Sequence, residues 1–344
     1  MRWLLVAVMA AGCSEREPAL DEPDAELPPP VVDAAVPDAS PPDAMPRRHC
    51  GTFLGPTGDY VTRIVSDGTT IYWSEESGAI KKMAASGGDA REIARATGAV
   101  LALHVRGDEI CFSVGEDRFA WQANRIQCAG SGQVETVVEG EIKSFDADGD
   151  AVYWLHYRAA DHTSEIDRVP RTPGAAPQIV YEEDAILRNI AVDGDHVYFG
   201  YGSGINRIPK AGGSYHQPVV NLQTSGTDMR FAGDFVYWGD WGVVYRARKP
   251  ATNDWSSGWN LEVREVVRTG EIAYDFAVAG DQAYFLDWVG LGRGIYRGAT
   301  GGTVEPFVVQ DFSVHEIAVD DHGVVFADSE GLRRVSFDGC VLPD

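Results

Sequence analysis

Ile190 to Phe199 reads IAVDGDHVYF, and after a short interval Ile205 to Gly213 reads INRIPKAGG. An apolar segment runs up to Gly194-Asp195, a second ends on Tyr198-Phe199, and a third carries Arg207 between Ile205 and Ile208. Gly and Asp accept the positive φ of tight hairpins. The stretch therefore predicts three short antiparallel strands in succession, and the apolar run Pro218 to Leu222 supplies a fourth.

Six more copies of this unit lie along the chain. The aromatic pair of the second strand falls at Tyr72-Trp73, Cys111-Phe112, Tyr153-Trp154, Tyr198-Phe199, Tyr237-Trp238, Tyr284-Phe285 and Val325-Phe326, with first members 39, 42, 45, 39, 47 and 41 residues apart. The turn before it recurs at Asp67-Gly68, Gly107-Asp108, Gly149-Asp150, Gly233-Asp234, Gly280-Asp281 and Asp321-His322, and the third strand carries Lys82, Arg125, Arg168, Arg246, Arg297 or Arg334. A period near forty, built of short strands and free of helical periodicity, predicts a propeller with one four-stranded blade per repeat. The expected fold is all-β: a seven-bladed β-propeller of four-stranded antiparallel blades over residues 49–344.

Closure of the ring is predicted from what the last copy lacks. After Gly339 only Cys340, Val341, Leu342, Pro343 and Asp344 remain, too few for a fourth strand, while Cys50 to Leu54 before the first blade is unassigned. Letting the N-terminal segment complete the last blade removes the exposed edge of an open sheet. Cys50 and Cys340 would then be neighbours. Cys111 and Cys128 flank the hairpin between strands two and three of blade two, so the expected disulfides are Cys50–Cys340 and Cys111–Cys128, one of three connectivities open to four cysteines. The first closes nearly the whole chain and contributes up to roughly 5 kcal/mol in the chain-entropy model.

The N-terminus reads as a processing signal: Arg2, an apolar run from Trp3 to Met9, then Ala10, Ala11 and Gly12 before Cys13. The apolar run is too short to span a bilayer. Small residues before a cysteine resemble a bacterial lipobox, which implies cleavage after residue 12 and lipidation of Cys13, although Ala10 stands where Leu is usual. An ordinary secretory signal with an incidental cysteine is the alternative. Ser14 in place of Asp implies, by the same resemblance, sorting to the outer membrane. Residues 14–48 hold nine of the eighteen prolines and almost no large apolar side chain, which predicts for 13–48 a disordered, largely extended tether of about 3 Å per residue.

The formal net charge of -23 repels phosphate backbones and excludes nucleic acid as a partner. Cationic partners stay open. The expected contacts are the membrane, through the lipid, and a protein or glycan; nothing in the sequence points to an oligomeric state or a cofactor.

Tyr72-Trp73-Ser74-Glu75 and Tyr237-Trp238-Gly239-Asp240, each followed by an aliphatic and a basic residue, resemble the YWTD-type propeller repeat and the related TolB-like and NHL-type bacterial propellers over residues 60–340. The resemblance implies the fold. These families include receptor ectodomains, transport-associated scaffolds, lactonases and lyases, and receptor-type YWTD propellers have six blades where this chain has seven, so no binding residue carries over.

No catalytic or metal constellation stands out. Of the eight histidines, His104 and His315 fall near inner strands, and His156 and His162 share one hairpin loop with Asp161; neither pair supplies the three or four ligands a metal requires. Asp146, Asp148 and Asp150 resemble calcium-loop spacing but lack its glutamate and fall on the turn of blade three. Gly290 to Gly294 (GLGRG) and Gly200 to Gly204 (GYGSG) are flanked by strands, not by the strand and helix of a phosphate loop or nucleophile elbow. The recurring basic residue reads as structural, its stem along the sheet and its charge on a turn carboxylate or water. Loops between strands two and three open on the same face as the links between blades, and three are long: Gly115 to Ala123 with Phe119 and Trp121, His156 to Glu165, and Asp287 to Gly294 with Trp288. Trp241 joins that face, while Trp255 and Trp259 belong to the opposite one. Variable loops on a rigid frame are where binding resides, so the expected function is a membrane-tethered, non-catalytic binding or assembly scaffold of the cell envelope with Phe119, Trp121, His156, His162, Trp241 and Trp288 on its contact face. The resemblance to catalytic propellers leaves a metal-dependent lactonase- or lyase-like enzyme as the alternative.

Overall fold

The structure is a computed structural model that describes Cys50 to Val341 apart from residues 107–108, 119, 121, 131–132, 173, 203, 222–226, 241, 251–261, 269–274, 288–293, 302–303, 310–313 and 315. The signal segment 1–12, Cys13 and the segment 13–48 lie outside the described residues.

Seven sheets form the blades, five of them antiparallel runs of four consecutive strands, with no helix among the described residues. The inner strands are Val61–Ser66, Ala99–Arg106, Ser144–Ala147, Leu187–Asp193, Thr227–Ala232, Phe276–Ala279 and Ile317–Asp320. Six of them turn into their second strands through the predicted hairpins, where Gly194 and Gly233 adopt φ of 52° and 53°, values that a residue with a Cβ rarely takes; the hairpin of blade two lies outside the described residues.

Consecutive aromatics in the second strand follow from burial on both faces. Neighbouring residues of a strand point to opposite sides, so Tyr72 packs toward blade two and Trp73 toward blade seven. Tyr198 likewise faces blade five and Phe199 blade three. Seven apolar clusters result, each shared by two adjacent blades. The core lies between blades rather than within them.

Closure is as expected, with one addition. Thr52–Gly55 pairs antiparallel with Leu332–Val335 as the outer strand of blade seven, and Leu54 enters the core between blades seven and one. Cys340–Val341 does not continue blade seven; it pairs parallel with Glu305–Val309 and gives blade six a fifth strand. The Cys50–Cys340 disulfide therefore ties the start of the ring to its end across two blades.

The recurring arginine does more than expected. Arg168, Arg207 and Arg297 lie opposite Tyr153, Tyr198 and Tyr284 in register, and each reaches across to the segment following the third strand of the next blade, donating to the carbonyls of Lys210 (2.9 Å), Pro250 (2.9 Å) and Phe337 (2.6 Å). Arg334 closes the series on the carbonyl of Ala85 in blade one. These guanidinium groups fasten blade to blade through a backbone acceptor, while within their own blades Arg297 and Arg334 also meet the carboxylates of Glu305 and Asp320. In blade two the assignment of Arg125 to this position is wrong: Arg125 pairs with Val114, and Cys128 lies opposite Cys111. The second disulfide, Cys111–Cys128, stands where four other blades set Tyr against Arg.

Candidate functional site: the channel mouth

Inner strands run away from the face that carries the inter-blade links and the loops between second and third strands. Their first residues therefore ring the channel mouth on that face. Counted from the aromatic pair, equivalent positions hold Arg63, Ala102, Ser144, Asn189, Asp228, Asp275 and Glu316 in blades one to seven. They line a cavity of about 730 Å³, within the size range of small-ligand sites.

Part of this polarity serves the fold. The inner strand is a sheet edge whose outward N–H groups need acceptors, and the preceding blade supplies them. Ser144 Oγ accepts the N–H of Ile190 at 3.1 Å, Asp146 Oδ2 that of Val192 at 2.8 Å, and Asp275 Oδ2 that of Ile317 at 3.3 Å. His104, expected near an inner strand, is on one; its Nδ1 lies 2.8 Å from Asp146 Oδ1 and its ring meets Phe145 edge-on.

The remainder exceeds what the edge requires. Asp228, Asp275 and Glu316, from blades five, six and seven, share the mouth with Arg63 and Arg230. Arg63 lies 3.1 Å from Glu316 and also donates to the carbonyl of Leu101 at 2.7 Å, and Arg230 stands 3.8 Å from Asp275. Burial pushes the Asp275 carboxyl up to about 6, with Asp228 adding to the rise and Arg230 opposing it. Burial and the neighbouring Asp275 raise Glu316 well above the usual carboxylate range against the pull of Arg63. These carboxyls hold a proton more readily than exposed ones do.

The loop between strands two and three of blade two overhangs this mouth, and Arg118, Ala120 and Gln122 line the cavity beside the inner strands. Arg118 lies over the Tyr60 ring at 5.5 Å and pairs with Glu76 at 3.2 Å. Phe119 and Trp121 of that loop, with Trp241, Trp288, Trp255, Trp259 and His315, lie outside the described residues.

The blade-three loop is shorter than expected. The second strand, Ala151–Arg158, and the third, Thr163–Pro170, leave only residues 159–162 between them, which makes His156 a strand residue rather than a loop residue. His162 caps the turn at φ 62°, with its Nδ1 2.9 Å from the Tyr157 hydroxyl. His156 sits between two carboxylates of the third strand, Nε2 3.0 Å from Glu165 and Nδ1 3.1 Å from Asp167. Sequence reasoning missed these two because they lie across a strand pair, on alternate residues. The trio is the one group with a metal-ligand complement among the described residues, yet both ring nitrogens are engaged and Arg158 pairs with Glu165. Its hydrogen bond to Asp167 raises the affinity of His156 for a proton. When protonated, His156 is itself a cation for this carboxylate pair.

The mouth residues were also missed by the sequence reading. Superposing the seven repeats on their aromatic pairs and scanning for the column that varies in charge would have found them.

No protein-family model matches the sequence, and no curated protein matches it. Among solved structures the chain is similar to virginiamycin B lyase from Staphylococcus aureus, at 16% identity and a TM-score of 0.59, with 82% of this chain and 98% of that one covered. It is similar to the WD40 β-propeller domain of Doa1 at 11% identity and 0.55, covering 83% and 95%, and to the AfRom2 CNH domain at 10% and 0.56, covering 86% and 98%. At such identities the likeness is one of fold, the seven-bladed ring described above.

Proposed function

We propose that this protein is a lipid-anchored, non-catalytic binding or assembly scaffold of the bacterial cell envelope that recognises a protein or glycan on the face carrying the channel mouth. The observation that supports the reading is a coincidence of place. On one face, the inner strands open into a ligand-sized cavity, their first residues abandon the repeat, and the long blade-two loop leans over them. On a frame this rigid, such variation marks a contact surface. Anchorage rests on Cys13 and the proline-rich stretch that follows it, and Ser14 favours the outer membrane. Membrane fractionation tests the anchor: Cys13→Ala moves the protein to the soluble envelope fraction. The contact face is tested with the triple variant Trp121→Ala, Trp241→Ala, Trp288→Ala. It keeps the unfolding midpoint and loses recovery of the partner from envelope extracts; undiminished recovery overturns the assignment of the face.

The lactonase- or lyase-like alternative has its own support, since Asp275 and Glu316 present proton-holding carboxyls to the cavity, the arrangement a general acid requires. Its metal-dependent form is tested by the metal content of protein purified without chelators. Absence of stoichiometric metal removes it.

A further inference from the structure

We propose that the Cys50–Cys340 disulfide protects the closing strand from force, by coupling the membrane tether to both ends of the ring at the point where the tether enters it. This rests on the lipid-anchored reading above for the source of the force; the coupling itself is a property of the folded ring.

The closing strand is the weakest element of the closure. Thr52–Gly55 is an edge strand, with three residue pairs to Leu332–Val335 and a register shift between Phe53 and Gly55. It has no partner strand on its outer side within blade seven. A pull along residues 14–49 arrives at its first residue, where hydrogen bonds are loaded one after another. Once it leaves, Leu54 leaves the core between blades seven and one.

Cys50 stands two residues before this strand, fully buried in the core between blades six and seven. Its partner Cys340 is paired in the fifth strand of blade six and lies five residues past Val335, the end of blade seven's third strand. A tug at Cys50 is therefore shared along two covalent paths. One enters the closing strand. The other crosses the sulfurs and divides between blade six's outer edge and a strand held on both sides in blade seven. Peeling Thr52–Gly55 requires Cys50 to move several ångströms, which the disulfide forbids unless the C-terminal segment moves with it.

Single-molecule pulling tests this on the full domain, with one handle replacing the lipid at residue 13 and the other attached at Asp117 in the blade-two loop. The oxidised protein shows one cooperative rupture. In Cys50→Ser, Cys340→Ser a low-force step precedes it, releasing residues 50–60, about 40 Å of extended chain, with the first rupture force at least halved. Should that variant not fold, the oxidised protein treated with reductant under partial denaturation and returned to buffer gives the same comparison. Identical first-rupture forces and no early step, with and without the disulfide, overturn the proposal. Release from the membrane on Cys13→Ala reads the anchor separately, so failure of one does not stand for failure of the other.

Discussion

Tyr72, Tyr153, Tyr198, Tyr237 and Tyr284 occupy one position of the second strand, five blades out of seven, and four of the cross-strand arginines bind a carbonyl of the following blade. At the start of the inner strand the corresponding column reads Arg, Ala, Ser, Asn, Asp, Asp and Glu. Most residues at both positions carry a polar group, and several at each bond to the next blade. The difference is in what is asked of them. Mid-blade, the interfaces share one geometry and most blades share one solution. At the channel, a single acceptor for a strand-edge N–H suffices, which Ser144 provides as well as Asp275 does; charge beyond that is free to follow a ligand. Repetition marks the frame, and departure from it marks the site.

The largest expected effect lies in the frame. Trp238 is fully buried between blades four and five and stacks on Tyr245 at 5.6 Å. Trp238→Ala should cost about 3–5 kcal/mol in urea unfolding, and a channel substitution of equal cost would break the comparison. Next comes Arg207→Met, which keeps the stem and removes the donors to Pro250 and Gln217. With the bonds to the buried Gln217 and the half-buried Pro250 carbonyl unmade, the expected loss is roughly 1.5–3 kcal/mol. Arg125→Met is the control. Displaced from the fastening position, it should fall within about 0.5 kcal/mol of the parent, and a loss matching that of Arg207 would show that the carbonyl contact is not what counts.

How much of this could be read beforehand follows from the same contrast. Seven blades, their order and both disulfides were legible because each depends on period, turn residues or strand placement. The swap of Arg125 for Cys128 in blade two was not, since a basic residue at nearly the right spacing satisfies the pattern and only the register, Cys111 against Cys128, reveals the exchange. Nor was the fifth strand of blade six, whose two residues leave no periodicity to detect. His156 reads as a loop residue because no large aliphatic side chain occurs from 156 to 165, yet Glu165 and Asp167 are buried strand residues whose charge His156 and Arg158 balance. A buried polar network looks like solvent exposure when read one residue at a time.

That network gives a smaller, pH-dependent effect. The hydrogen bond to Asp167 raises His156 above its ordinary value of 6.5, so the folded state binds the proton more tightly than the unfolded state. The stabilisation is fully present below pH 6.5 and fades as pH climbs through the raised value. His156→Gln should flatten the decline of the unfolding midpoint between pH 6 and 8; a decline as steep as the parent's removes the bridge from the account.

The smallest change in stability, and the one that separates frame from site most sharply, is expected at the mouth. Asp275 moves from 3.8 up to about 6, so between those values the folded protein again holds more protons and stability falls as pH rises. Asn at 275 keeps an oxygen for the Ile317 N–H while removing the titration. Asp275→Asn should therefore be no less stable than the parent at pH 7.5, and its midpoint should vary less from pH 4 to 6. Because Glu316 is raised partly by the charge of Asp275, the substitution also lowers the proton affinity of Glu316, and the double variant with Glu316→Gln should be flatter still. If the column at the mouth serves recognition, these variants lose partner recovery at unchanged stability. A loss of stability at pH 7.5 comparable to that of Arg207→Met would instead make the mouth another part of the frame.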